Sequence, residues 1–274
     1  MGLTSGHREP NFKPFVSRYE TEEEFLKFIE DAEIIKGKCG SNPSSNSKGS
    51  NWADTEDLAE AIDRGRKGDT RIASKIKPKD IELTNHGNMT STVYDTSGDF
   101  VSVGRYLSGE PECMGSIRKL GKPIINILVN SGYNAGIHSD TIEARGKAIL
   151  EIMSGLEANG YGVEIVLGII TGKTSTTSIC QEVYIKIKSS REYFNLNTLS
   201  FWLASSSVQR RLEFAYCERV SIEQQSLISS YGRAVDLPQK ELDEMTDCIY
   251  FPIITDNSGS YKAAIQQIME KYKA

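Results

Sequence analysis

The sequence predicts a mixed α/β protein with three layers, a mostly parallel sheet with an antiparallel edge strand, and an N-terminal mainly helical region. Two observations predict this class. The nearly continuous apolar runs 123–130 and 162–171 are typical of strands buried on both faces of a sheet. The segment between them, 139–160, repeats apolar residues at helical spacing, and a strand, a helix and a strand in one unit imply a right-handed parallel crossover.

Composition places the chain among ordinary globular proteins. It has 274 residues, 38% hydrophobic and 25% charged, which suits one large domain or two modest ones. The net charge of −5 argues against general nucleic-acid binding, which normally uses a basic face. The five cysteines are odd in number, which favours free thiols in a reducing compartment. We find no signal peptide and no membrane-spanning apolar run, so we expect a cytoplasmic protein that does not bind membranes.

The N-terminal region, 1–120, is predicted to be mainly helical. A helix is expected over 20–34 because Thr21 is a good N-cap before Phe25, Leu26, Phe28 and Ile29. A second helix is expected over 55–69, with a threonine cap and Gly65 as its end.

Two other N-terminal segments indicate irregular and β structure. The segment 36–51 is rich in Gly, Ser and Asn, which predicts a flexible loop. The segment 91–109 predicts a pair of strands around an Asp-Thr-Ser-Gly turn, followed by a short helix. The N-terminal region therefore includes a small β element.

The second region, 121–274, is predicted to be the α/β domain. Alternating residues at 182–189 indicate an exposed edge strand, and the short connection from 162–171 implies an antiparallel hairpin. The later segments are predicted as a helix interrupted near Ser205–Ser207, a strand and a final helix, at 197–220, 247–254 and 261–273.

The stretch GIITGKT at 168–174 resembles a phosphate-binding P-loop. Three residues, and not four, separate Gly168 from Gly172, and the following residues are typical of a strand. No helix N-terminus is therefore available to a phosphate. We interpret the stretch as a hairpin turn with an exposed Lys173.

The stretch DNSGS at 256–260 offers oxygen ligands suited to a hard cation. Asp256, Ser258 and Ser260 have the Asp-x-Ser-x-Ser spacing in which one carboxylate and two hydroxyls hold Mg²⁺. The same residues also form an ordinary start for the last helix, and no later loop follows to complete a metal shell. The helix start is favoured, so no cofactor is expected and Mg²⁺ at these residues is the alternative.

The order of elements from residue 121 resembles a shortened von Willebrand factor A domain. The family's metal motif follows its first strand, and here its positions fall on Asn130, Gly132 and Asn134. The carboxylate and both hydroxyls are missing, and neutral oxygen ligands hold Mg²⁺ poorly. The resemblance thus implies a degenerate metal site.

A second resemblance covers more of the chain. The segments NWADTEDLAEAIDRGRKGD (51–69), GDFVSVGRYLSGEPECMG (98–115) and SSSVQRRLEFAYCE (205–218) are similar to an uncharacterised protein family of tailed bacteriophages. This resemblance implies a phage source and the host-cell cytoplasm, and it implies no activity.

Two further features have ordinary structural interpretations. Arg210 and Arg211 could bind an anion, but the favoured interpretation is a solvated helix face paired with Glu213 and Glu218. Trp52 is interpreted as a core or interdomain anchor.

Ligands of open α/β sheets gather outside the carboxyl ends of the strands, which here places 130–138, 171–177 and 255–260 on one rim. We favour an interaction module of phage type that binds a protein partner through this rim. The alternative is an enzyme, or a nucleotide- or divalent-ion-binding protein, using the same loops. The candidate binding residues are Asn130, Ser131, Asn134, His138, Asp140, Lys173, Asp256, Ser258 and Ser260.

Overall fold

The computed structural model describes residues 5–47, 50–78, 90–119, 123–173, 176–228, 231–245 and 248–272. The strands are β1 (Phe15–Tyr19), β2 (Thr90–Asp95), β3 (Phe100–Val101), β4 (Met114–Lys119), β5 (Ile124–Asn130), β6 (Gly162–Gly172), β7 (Ile179–Lys188), β8 (Arg233–Ala234) and β9 (Cys248–Phe251). The α-helices are α1 (Glu22–Asp31), α2 (Ser50–Ala53), α3 (Leu58–Lys67), α4 (Thr70–Ala73), α5 (Val103–Leu107), α6 (Ser139–Ala158), α7 (Leu196–Ala204), α8 (Phe214–Arg219), α9 (Ile222–Leu227), α10 (Gln239–Glu244) and α11 (Tyr261–Tyr272). A π-helix, Val208–Glu213, lies between α7 and α8.

The main sheet has the strand order β1-β7-β6-β5-β9, and β8 pairs with β6. Strands β5, β6 and β9 are parallel, and β7 is antiparallel to β6. The predicted class is confirmed at this level, because the chain is mixed α/β with a mostly parallel sheet and one long antiparallel strand.

The edge position predicted for 182–189 is wrong. Strand β1 pairs in parallel with β7 and lies outside it, with Phe15 opposite Gln181 and Tyr19 opposite Ile185. Strand β7 is therefore internal and mostly buried. The sequence signal for β1 is weak because the strand has five residues, two of which are polar.

The crossover from β5 through α6 to β6 is confirmed. Helix α6 packs its apolar stripe on the sheet and lies close to α7 at Gly146. A Cβ added at Gly146 would lie 2.2 Å from the carbonyl oxygen of Leu203, so a larger residue would push the helices apart. His138 is the N-cap residue of α6, and its side chain makes no capping hydrogen bond. Neither Ser139 nor Asp140 is the cap.

The two faces of the main sheet are covered unequally. One face carries α1, α3, α6, α7, α8 and α11 over a continuous hydrophobic core that includes Ile127, Val163 and Val183. The other face carries a smaller cluster formed with Val235 and Leu237, next to α10. The third layer of the predicted architecture is thus thin.

Elements before residue 121 contribute to the same core. Phe25 of α1 and Ile62 of α3 lie in the cluster that covers the sheet, and the indole nitrogen of Trp202 donates to the Gly65 carbonyl 3.1 Å away. Gly65 lies inside α3 and does not end it. Asp57 caps that helix, and Gly68, with φ 84°, ends it.

Residues 90–119 form a separate three-stranded sheet. Its order is β2-β4-β3, so β2 and β3 both pair with β4 and do not form the hairpin predicted around the Asp-Thr-Ser-Gly turn. In the described part of the chain, the hydrogen bonds and ion pairs of residues 90–119 join residues of this segment to one another. Its large apolar side chains are exposed, including Leu107 at 78% and Tyr106 at 66%.

The predicted interruption near Ser205–Ser207 is confirmed. Helix α7 ends at Ala204, and the chain continues as the π-helix before α8 begins. Several predicted segments extend to positions outside the described residues, namely 48–49, 174–175, 247 and 273. Among the described residues, the helices are too short or too polar to cross a membrane.

Candidate functional site

A cavity of about 120 Å³ lies at the carboxyl edge of the main sheet, and we call it the rim pocket. It lies where β5 and β6 end and where β8 pairs with Gly172. The side chains and backbone that line it come from four segments of the chain: Trp52, Tyr133, Asn134, Ala135, Gln209, Arg210, Glu213, Phe214, Tyr231, Gly232, Arg233 and Ala234.

The π-helix supplies the charged part of the rim pocket. Three consecutive serines before it are poor helix formers, and the hydroxyl of Ser207 donates to the carbonyl of Ala53 instead of supporting a regular turn. The wider π turn directs both Arg210 and Arg211 into the protein, where they are 2% and 1% exposed. Single π turns are frequent at functional sites.

The guanidinium of Arg210 is held by neutral groups, namely two aromatic rings and two backbone carbonyls. Its guanidinium lies 4.6 Å from the ring centroid of Trp52 and 5.2 Å from that of Tyr133. It donates to the backbone carbonyls of Trp52 and Ile137, and burial lowers its pKa. Its Nε is buried and has no hydrogen-bond partner.

Glu213 contributes the carboxyl group of the rim pocket. The residue is 3% exposed, and its Oε2 is buried without a hydrogen-bond partner. Burial raises the pKa of this carboxyl to about 8, and a hydrogen bond with Thr171 opposes the shift. Glu213 is therefore mostly protonated at neutral pH, and a carboxyl titrating near neutrality is suited to acid–base chemistry.

Gln209 joins the loop after β5 to the π-helix. Its Oε1 accepts from the backbone nitrogen of Tyr133 at 3.2 Å, and its Nε2 donates to the Tyr133 carbonyl at 3.0 Å. The Tyr133 hydroxyl donates to the carbonyl of Ser206 at 2.8 Å. These bonds fix one wall of the rim pocket.

Tyr231 and Gly232 form the opposite wall with left-handed backbone. Tyr231 has φ 66°, a conformation that costs free energy for a residue with a large side chain. Its ring stacks on Phe214 at 4.0 Å, and its hydroxyl donates to Glu218 at 2.7 Å. A Cβ added at Gly232 would lie 2.1 Å from the side chain of Thr171, so glycine is required there.

A buried polar cluster supports the ends of β5 and β9 beside the rim pocket. Asn130 is fully buried, and its Nδ2 donates to the Val235 carbonyl at 2.9 Å and to the Tyr250 hydroxyl at 3.0 Å. Arg145 donates to the carbonyls of Asn130 and Pro252 at 3.1 and 2.6 Å, and burial lowers its pKa to about 10. Asn130 therefore has a structural role in the strand ends.

The other candidates in the loop after β5 differ in exposure. Ser131 is half-buried, and its Oγ donates to the Gly168 carbonyl of the neighbouring strand at 3.2 Å. Asn134 is exposed and lines the rim pocket. Asn134 is thus the one of the nine predicted residues that lines this pocket.

The loop 255–260 contacts the start of α6. The side chain of Asn257 accepts from the backbone nitrogen of His138 at 2.8 Å and donates to the carbonyl of Gly136 at 2.9 Å. His138 and Asp140 are exposed there. The structure therefore brings the first and last parts of the predicted rim together through a residue that the sequence analysis did not select.

The Asp256 carboxylate is engaged by its own loop. Its Oδ1 accepts from the backbone nitrogen of Ser258 at 2.8 Å, and hydrogen bonds from Ser258 and Ser260 hold its pKa below the ordinary value. Among the described residues, no three of His, Cys, Asp and Glu lie close enough to hold a metal ion together.

Lys173 is exposed less than predicted and is paired. Its Nζ lies 2.9 Å from Glu9 Oε1 and 4.6 Å from the ring centroid of Phe12. The N-terminal segment therefore covers this end of β6, and Lys173 contacts that segment and not the loops after β5 and β9.

The interpretation of residues 210 and 211 as a solvated face is wrong. Neither arginine pairs with Glu213 or Glu218, because both guanidiniums are buried against backbone carbonyls. Helical spacing could have indicated this for Arg211, which lies three residues after Val208 and four before Ala215 on the apolar stripe. Trp52 is also not in the core, since it is 41% exposed at the pocket.

Fold and site together define a mixed α/β protein with a pocket of buried arginine, glutamate and aromatic residues at the carboxyl edge of its sheet. The chain belongs to the family described as a domain of unknown function (DUF7192), whose family model matches residues 8–274. No curated protein and no solved structure matches the chain.

Proposed function

We propose that this chain is an interaction module of phage type that binds a protein partner through the loops at the carboxyl ends of its strands. The rim pocket is the centre of the binding surface. Trp, Tyr and Arg are the residues that most often dominate the binding energy of protein interfaces, and all three surround this pocket. Half-exposed Trp52, with Asn134 and Arg233 exposed beside it, is the observation that carries the proposal.

The arrangement of the main sheet supports an A-domain-like interpretation within this proposal. Antiparallel β7 lies beside β6, parallel β5 and β9 follow, and the long helix α6 connects β5 to β6. Binding through loops after the first strand is the mode that this resemblance implies. The phage source rests on the three quoted sequence segments.

Affinity capture from cells that express the chain tests the proposal. We expect Trp52→Ala to weaken partner binding by about 10- to 30-fold, as the loss of a central aromatic residue does. Tyr193→Ala is the matched control, because Tyr193 is 90% exposed after β7, at the opposite edge of the sheet. Equal capture by the folded Trp52→Ala variant and the wild type would refute binding through the rim.

One observation favours an enzyme or a nucleotide-binding protein as the second candidate. Glu213 has a pKa raised to about 8 and lies in a pocket, as general acids and bases do. A thermal-shift screen with Mg²⁺, Mn²⁺ and common nucleotides tests this candidate. A ligand-dependent rise in melting temperature that Glu213→Gln abolishes would favour it over protein binding.

A further inference from the structure

The charges that line the rim pocket are unbalanced. Arg210 and Arg233 bring two guanidinium groups, and neither forms an ion pair with a carboxylate among the described residues. Glu213 is the carboxyl group of the lining, and its burial keeps it mostly neutral near pH 7. The pocket is therefore positive, although the chain as a whole has a net charge of −5.

Two buried polar atoms of the lining residues lack partners. The Nε of Arg210 is a hydrogen-bond donor, and the Oε2 of a protonated Glu213 is one as well. The other nitrogens of Arg210 donate to the carbonyls of Trp52 and Ile137. Because these carbonyls are neutral, they do not compensate the charge of the guanidinium. Buried polar groups without partners are uncommon in folded proteins, so both residues keep unused hydrogen-bonding capacity in the wall of the rim pocket.

We propose that the rim pocket binds an oxyanion, which enters between Arg233 at the mouth and Arg210 and Glu213 in the wall. This inference rests on the proposed function, because the oxyanion is the group by which a partner would be recognised. The volume of about 120 Å³ suits a carboxylate or a single phosphate group. A whole nucleotide needs more room, since pockets for drug-sized ligands measure about 300 Å³ or more.

The groups around Glu213 determine how binding depends on pH. It is near Thr171 of β6, Tyr133 after β5 and Cys217 of α8, and Arg210 and Arg233 line the same pocket. Burial raises the pKa of both Tyr133 and Cys217, so neither becomes charged between pH 6 and about 9. Glu213 is then the lining residue that gains a negative charge as the pH rises through 8, and it repels an anion.

Titration of the full chain with sodium acetate and with inorganic phosphate, against sodium chloride at equal ionic strength, tests the inference. The readout is the NMR signal of the Trp52 indole N–H. We expect saturable shifts with the two oxyanions at pH 6.5 and, for acetate, whose charge does not change over this range, at least fivefold weaker binding at pH 9. If acetate binds as tightly as phosphate, the group recognised is a partner carboxylate. If phosphate binds more than tenfold more tightly than acetate, the group recognised is a phosphate group.

Variants separate the contributions of the residues. Arg233→Ala should weaken oxyanion binding at least fivefold, whereas Arg191→Ala, an exposed arginine at the opposite edge of the sheet, should leave it unchanged. Glu213→Gln keeps a side-chain donor and cannot ionise, so its binding of acetate, which stays ionised over this range, should vary less than twofold between pH 6.5 and 9.

The outcomes also distinguish the two proposals. If neither oxyanion shifts the Trp52 signal beyond chloride, or if Arg233→Ala binds like the wild type, the oxyanion inference is overturned even where partner capture still depends on Trp52. If the oxyanions bind and partner capture is independent of the rim, the inference stands and the proposed function fails.

Discussion

Glu213 is a buried residue whose protonation affects the stability of the fold. A pKa raised to about 8, from an ordinary value of 4.5, means that the folded chain holds this proton more tightly than the unfolded chain does. The stability from the bound proton is fully present below about pH 4.5 and is lost as the pH rises through 8. A buried carboxyl with one hydrogen-bond partner thus destabilises the fold in alkaline solution.

Glu213→Gln should remove this pH dependence. Glutamine stays neutral, so the free energy of unfolding of the variant, relative to the wild type, should increase by about 1.4 kcal/mol per pH unit between pH 5 and 8. Above pH 8 the difference should level off. Urea unfolding of both proteins at pH 5, 6, 7, 8 and 9 measures it, and a constant difference across this range would show that Glu213 is not buried as a neutral acid.

At the scale of elements, the irregular segment 36–47 is held by two side chains from the helices after the π-helix. The Oε1 of Glu218 accepts from the backbone nitrogens of Ser44 and Ser45 at 2.8 and 2.9 Å. The Oε1 of Gln225 accepts from the backbone nitrogens of Cys39 and Gly40, both at 3.0 Å. A loop predicted from composition therefore has a defined backbone path, set by side chains about 180 residues away.

Glu218→Gln should loosen this segment. The amide replaces a carboxylate that accepts several hydrogen bonds, and it turns an N–H group toward donors, at a cost of about 2 kcal/mol. We expect the amide hydrogens of Ser44 and Ser45 to exchange at least tenfold faster, as measured by NMR. Glu223→Gln, on the exposed side of α9, is the control and should leave both rates unchanged. Unchanged exchange in the Glu218 variant would mean that other contacts hold the segment.

Local patterns predicted the elements that have strong periodicity. The apolar runs gave β5, β6 and the crossover helix α6, because burial on both faces of a sheet and amphipathic packing leave clear signatures. Strand β1 and the buried arginines were missed. Their environment depends on partners far away in the chain, such as β7 for Phe15 and the carbonyls of Ser45 and Thr55 for Arg211.

The sequence predicted where on the sheet the candidate site lies, and it did not predict most of the side chains that form it. The rule that ligands bind outside the carboxyl ends of strands indicated the edge where the rim pocket lies, and Asn134 lines that pocket. Trp52 and Glu213 reach this edge only through the packing of α2 and the π-helix, and a π-helix has no reliable signal in a single sequence. Asn130 was selected by position, although its amide is fully used inside the protein.

At the scale of the whole molecule, the two sheets differ in how they are stabilised. The main sheet is covered by a large hydrophobic core, whereas the sheet of residues 90–119 exposes Leu107, Tyr106 and Ile117. A small antiparallel sheet without a covered apolar face is marginally stable. The free energy of local unfolding should therefore differ between the two sheets.

Hydrogen exchange should separate the two sheets. Amide hydrogens of β2 and β4 should exchange at least 100-fold faster than those of β6, because they open without unfolding the core. Native-state exchange followed by mass spectrometry measures both regions in one sample. Equal protection in the two sheets would show that they unfold as one unit.

The pairing of β1 with β7 also has a consequence for synthesis on the ribosome. Residues 15–19 leave the ribosome before their partners at 181–185, so this part of the sheet cannot form until the intervening chain has been made. At ordinary rates of translation the delay is on the order of ten seconds. During that time α1 and β1 have no core to cover their apolar side chains, so these two elements need protection from aggregation until β7 has been made.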